Sequence, residues 1–172
     1  CILAYLNIIF LAPELLRLLF PAIRLPIGAG FTGPTVGAVF AALTFAADGQ
    51  HPRNVAPVVL GYVTLFLFVC IVFTFIGETL PWMLSTQAYI NGIAFATGLC
   101  PIAGRYGWKK GLFAGLIHAI ICSSTASMHG GFVLYNGGFT AALICLMLVP
   151  QLEKFCKTKE ERKLARAAKA AK

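Results

Sequence analysis

Long apolar runs, broken at intervals by glycine, proline and short polar clusters, divide the chain into about six hydrophobic segments. They are Cys1 to Phe20, Phe31 to Ala47, Val55 to Gly77, Leu84 to Ala103, Gly111 to Ser127 and Phe132 to Leu152. A helix that covers about 30 Å of hydrocarbon at about 1.5 Å per residue needs roughly 20 residues. Val55 to Gly77 meets this cleanly and is followed by Glu78, Pro81 and Trp82, an interfacial boundary. Phe31 to Ala47 is short and holds Gly33, Pro34 and Gly37, while Leu84 to Ala103 is interrupted by Gly92, Gly98 and Pro101. Both predict half-helices or re-entrant segments. The pattern predicts an all-α, polytopic integral membrane protein, some of whose helical segments are short, broken or re-entrant. Residues 1–152 form its transmembrane domain and 153–172 a basic cytoplasmic tail.

Composition strengthens the choice of solvent. The chain of 172 residues is 59% hydrophobic and 12% charged, with a mean hydropathy of +0.82, against about a quarter charged in soluble domains. From Leu152 onward, eight basic residues face Glu153, Glu160 and Glu161, so the tail supplies +5 of the net +8. That excess borders a hydrophobic span and lacks the interleaved aromatics of a nucleic-acid platform, so no nucleic-acid partner is expected. The positive-inside rule keeps this end in the cytoplasm and places RYGWKK, Arg105 to Lys110, on the same side. Attraction of the tail to anionic headgroups is a second reading. The six cysteines sit singly without C-x-x-C spacing and read as small apolar packing residues. The chain opens on CILAYLNIIF, without Met or a basic n-region, which is unlike a signal peptide and suggests a fragment of a longer protein.

Two glycine pairs in MHGGFVLYNGGF, Met128 to Phe139, interrupt this apolar sequence. Gly130 and Gly131 suit the tight turn of a helical hairpin. Gly137 and Gly138 lie within the next apolar segment, where glycine weakens a helix unless close packing uses it. Backbone N–H groups freed at a broken helix start would receive a polar or anionic solute. Gly111, Gly115, His118, Ala119 and Cys122 share one helical face, a small-residue groove with an imidazole near mid-depth. His118 is read either as a packing residue bonded to a carbonyl or as a proton or substrate contact. SSTASMHGG, Ser123 to Gly131, has two readings: hydroxyls bonded back to their own turn, or the polar mouth of a site completed by His129, Tyr135 and Asn136. In DGQHPRN, Asp48 to Asn54, Asn54 is positioned to cap the following span, and Asp48, His51 and Arg53 are candidates for a gate or coupling site.

Three stretches carry a family resemblance: HPRNVAPVVLG from His51, GIAFATGLCPIAGRYGW from Gly92 and HGGFVLYNGGF from His129. Together they resemble the bacterial multi-pass membrane family catalogued as domain-of-unknown-function family 1576, over about Ala29 to Phe155. The resemblance implies a polytopic helical protein and no established activity.

FTGPTVGAVFAAL from Phe31 and FATGLCPIAGRYGWKKGLFAGL from Phe95 form a faint internal echo, the kind of paired interruption that marks transporters built from repeats. The expected function is a transport or channel path for a small polar or anionic solute. Its candidate lining is Thr32, Gly33, Pro34, Thr97, Gly98, Pro101, His118, His129, Gly130, Gly131, Tyr135 and Asn136. The alternatives are a structural or regulatory membrane component and, third, an intramembrane enzyme. No G-x-S-x-G, Walker A or H-E-x-x-H occurs, so no catalytic residue, metal ligand or cofactor is assigned. The expected partners are the lipid bilayer and, for assembly, further copies of the chain.

Overall fold

The computed structural model describes residues 37, 40, 41, 43–45, 47, 49–77, 87–126, 128–130 and 132–170. Every regular element with assigned bounds is helical. In order these are α1 (Pro52–Ile76), α2 (Gln87–Ala96), a 3-10 turn (Thr97–Leu99), α3 (Cys100–Tyr106), α4 (Trp108–Thr125), α5 (Val133–Phe155) and α6 (Lys159–Ala170). The described positions between 37 and 47 are helical as well. Cys1 to Phe20, most of Phe31 to Ala47, and Glu78 with Pro81 and Trp82 lie outside the described residues.

Local sequence sets where the helices begin. Pro52 opens α1, and the cap is His51 rather than Asn54: His51 Nδ1 accepts from the Arg53 N–H at 3.2 Å. Asn54 Oδ1 accepts from the His51 N–H at 2.8 Å, giving a reciprocal box that satisfies donors left open at a helix start. Between α3 and α4, Gly107 at φ 109° makes a turn that side chains disfavour, and Trp108 starts the next helix immediately.

Of the two expected interruptions, the one at Gly98 is present as a break between two short helices, whereas the one at Gly137 and Gly138 is not. Around Gly98 the chain tightens into the 3-10 turn and passes into α3, with Pro101 in the first turn of α3 where a missing N–H is tolerated. Gly137 and Gly138 do not break α5, which runs from Val133 to Phe155. They allow close packing instead: a Cβ on Gly137 would meet the Phe95 ring at 2.8 Å.

α4 is the central helix and packs on α1, α2, α3 and α5. Its buried face is Gly111, Ala114, Gly115, His118, Ala119 and Cys122. α1 lies in that small-residue groove, running in the same direction. A Cβ on Gly115 would collide with the backbone of Val58, and one on Gly61 with the backbones of Leu112, Gly115 and Leu116. Such backbone contact is how helices associate where lipid removes the hydrophobic drive between them. α2 and α5 run the opposite way, as the contacts Tyr89 to Tyr62, Gln50 to Thr97, Asn136 to Cys122 and Arg105 to Glu153 require. The start of α1, the end of α3, the start of α4 and the end of α5 therefore share one end of the bundle. Arg105, Lys109, Lys110 and Lys154 gather there.

Among the described residues, two helical stretches are long and apolar enough to cross a membrane. They are Pro52–Ile76, with a mean hydropathy of 2.7, and Tyr135–Ala170, at 1.5 in its apolar part. Only 28% and 17% of those apolar windows are buried in the protein. The core helix of a soluble domain hides its apolar residues, whereas here Leu67, Phe68, Ile71 and Phe75 of α1 and Leu146 and Met147 of α5 all face outward. The solvent that suits this surface is lipid, and the chain is a membrane-associated helical protein.

Because the α1 to α4 crossing is backbone against backbone, Gly115→Ala should lower stability by about 1–3 kcal/mol, the range for overpacking. Gly138→Ala should change it far less, since its Cβ would meet Phe95 only at 3.8 Å. Thermal unfolding of the two variants in one detergent checks the contrast.

Candidate functional site: a polar core between α1, α2, α4 and α5

His118 has 0% exposure, and both ring nitrogens are engaged. Nε2 lies 3.1 Å from the Gly137 carbonyl, and Nδ1 lies 2.5 Å from the Tyr62 hydroxyl. A carbonyl only accepts, so Nε2 carries the proton, and Nδ1 accepts from Tyr62. Of the two neutral tautomers, this arrangement fits the one protonated at Nε2. The Tyr62 carbonyl in turn accepts from the Tyr89 hydroxyl at 2.6 Å, and the two tyrosine rings pack 5.0 Å apart. Four helices meet at this imidazole: α1 through Tyr62, α2 through Tyr89 on Tyr62, α4 through His118 itself, and α5 through Gly137.

One turn further from the basic end stands Asn136, also with 0% exposure. Its Nδ2 donates to the Cys122 carbonyl at 2.7 Å, which leaves Oδ1 as the acceptor. Oδ1 lies 2.9 Å from His129 Nδ1 and 2.8 Å from the Thr125 hydroxyl. The same Thr125 hydroxyl is 2.8 Å from the Ile121 carbonyl, so its single proton serves one acceptor at a time. His129 donates through Nδ1, and its ring meets Tyr135 and Phe139 edge-on at 5.3 and 5.1 Å. Tyr135 is exposed.

Toward the basic end the polar groups continue as Thr140 and Thr97. Thr140 is fully buried on α5, and its hydroxyl has no partner among the described residues. Thr97 donates to the Ala94 carbonyl at 2.6 Å and accepts from Gln50 Nε2 at 2.8 Å. His129, Asn136, His118, Thr140 and Thr97 thus mark a polar column along the bundle, inside an apolar exterior.

The family model described as "Protein of unknown function (DUF1576)" matches residues 3–154. The chain belongs to that family. No curated protein and no solved structure matches it.

Within this DUF1576 chain, the sequence candidates divide into three groups. His118, Asn136 and His129 come together along the α4 to α5 interface, and Thr97 lies at the basic end of the same column. Gly98 packs against the Phe45 ring, Pro101 is exposed, and Gly130 forms the turn ahead of α5 with φ 60°. His51 caps α1 and Arg53 is exposed beside it. Thr32, Gly33, Pro34, Asp48 and Gly131 lie outside the described residues, as does most of the first copy of the internal echo. Ser123 and Ser124 donate back to the carbonyls of Ala119 and Ile120 at 2.6 and 2.7 Å, which matches the first of their two readings.

Tyr62, Tyr89, Gln50 and Thr140 escaped the sequence reading. One available signal was GY at Gly61 and Tyr62, a polar tip beside a small residue within the most apolar span.

Satisfied and unsatisfied groups should respond oppositely to deletion. Asn136→Ala strands the His129 donor and takes a donor from the Cys122 carbonyl, while Thr125 keeps the Ile121 carbonyl, and should lose about 1–3 kcal/mol. Thr140→Val removes a hydroxyl that bonds nothing and should be neutral or stabilising. Paired unfolding curves in detergent test both directions.

Proposed function

We propose that the chain forms the membrane-embedded part of a transporter or channel for a small polar solute, with the polar column between α2, α4 and α5 as its route. The observation that carries this reading is the fully enclosed His118 and Asn136 pair. Polar and ionisable groups at depth in an apolar bundle are costly to bury and tend to line solute or proton paths. The column extends toward both ends, and the glycine contacts at Gly61, Gly115 and Gly137 keep the helices close enough for small shifts to open or close it. In this reading the protein is a multi-pass protein of the cell membrane, its basic end and carboxyl terminus in the cytoplasm by the positive-inside rule. The short segment from Phe31 to Ala47 is re-entrant, and copies of the chain assemble into an oligomer.

A second reading has its own support. Both His118 nitrogens and both ends of the Asn136 amide are bonded, as a network that locks helices together requires. It makes the chain a structural or regulatory membrane component.

Osmotic swelling of proteoliposomes separates the two readings, using urea, glycerol, glycine and formate as probes. Transport predicts that the wild type passes at least one probe faster than protein-free liposomes. Thr140→Val should then alter that rate without lowering the melting temperature. Asn136→Ala should cut the rate about tenfold or more, equivalent to about 1.4 kcal/mol in the barrier. If every probe enters wild-type and empty liposomes equally, the structural reading stands instead.

A further inference from the structure

α6 is exposed along its whole length and contributes nothing to the core. At 100° per residue, its Lys159, Arg162, Lys163, Arg166 and Lys169 fall within an arc of about 120°. Glu160 and Glu161 lie outside that arc, and Glu161 is tied into the helix start. Its Oε2 accepts from the Thr158 N–H at 2.8 Å, and its own N–H donates to Thr158 Oγ1 at 3.2 Å. The basic face is therefore sharply one-sided on a helix whose first turn is held by a reciprocal cap.

Its direction is set as well. Arg162 Nη2 donates to the Tyr106 carbonyl at 2.7 Å, and the Arg162 and Lys159 side chains approach Gly107. The basic arc thus turns toward the end of the bundle rather than away from it. Three residues, Cys156 to Thr158, join α5 to α6, a reach of roughly 11 Å at most. At that same end Trp108 and Phe155 are exposed, and Lys109 and Lys110 follow Trp108. Aromatics beside basic residues at the end of an apolar helix mark headgroup level.

From this we propose that α6 lies along the membrane surface and that its basic face binds the headgroups of anionic phospholipids. Charge complementarity selects the occupant. The arc has no acidic group to balance it within α6, and a fixed row of cations at headgroup depth attracts phosphate-bearing anionic lipid. Arg162 orients the helix through its backbone bond, which leaves Lys163, Arg166 and Lys169 to face the lipid. The inference rests on membrane placement and is independent of whether a solute passes.

Spin-labelled lipids test it on the full chain in phosphatidylcholine vesicles, with trace labelled phosphatidylglycerol or phosphatidylcholine. The readout is the motionally restricted fraction of each label. The wild type should retain phosphatidylglycerol severalfold better than phosphatidylcholine. Lys163→Gln, Arg166→Gln and Lys169→Gln together should remove about half or more of that preference, as should raised salt. All three positions are exposed, so the bundle stays folded. A preference that survives the triple change, or falls only with Lys109→Gln and Lys110→Gln, overturns the proposal and leaves the basic face to a soluble acidic partner. Absence of a restricted fraction for either label overturns it together with membrane placement, a failure distinct from a negative swelling assay.

Discussion

The contact between the backbones of α1 and α4 at Gly61 and Gly115 sets the rest of the bundle. With a glycine from each helix at the crossing, the Val58 and Gly115 backbones meet main chain to main chain. That closeness brings Tyr62 within hydrogen-bond reach of His118 one turn further along. A larger residue at either glycine would move the helices apart and leave an imidazole buried without its donor. Packing and polar satisfaction are thus one constraint here. Small residues fix the distance, and the distance makes the buried polar group tolerable.

Once His118 is held, its neighbours follow. Nε2 requires a carbonyl acceptor, and Gly137 supplies it where the absence of a Cβ lets the Phe95 ring and α5 come close. Asn136, the preceding residue, then reaches Cys122 on α4 and gathers His129 and Thr125 at the end away from the basic residues. The glycine pair inside α5 is explained by contact rather than by exposed peptide groups. Polar groups that could serve a solute are, in this arrangement, bonded to one another, with the Thr140 hydroxyl as the exception among those in the column.

The helical class, the membrane as solvent and the small-residue face of α4 were legible in the sequence, because each depends on apolar periodicity or on glycine spacing along one helix. The partner of that face was not. Nothing near Gly111, Gly115 and His118 in sequence indicates that α1, rather than a water-filled path, fills the groove. Tyr62 was hidden for the same reason: an aromatic in a long apolar run looks like a lipid-facing residue until its neighbour is known. The break at Gly98 was legible, whereas the one at Gly137 was misjudged, because glycine and proline report permission for an unusual backbone. They do not report whether tertiary packing uses it, and here a 3-10 turn and a continuous helix satisfy the peptide groups locally. The basic end was readable because charge follows topology directly.

The α1 to α4 contact places the Tyr62 hydroxyl as donor to His118 Nδ1 and so holds a neutral imidazole protonated at Nε2. Nitrogen NMR of ring-labelled histidine in the membrane-reconstituted protein reads this directly. The account predicts one buried histidine with a bare, hydrogen-bonded Nδ1 and a protonated Nε2, whose Nδ1 resonance moves when Tyr62 is changed to Phe. A His118 protonated at Nδ1, or one whose nitrogens ignore the loss of the Tyr62 hydroxyl, would contradict it.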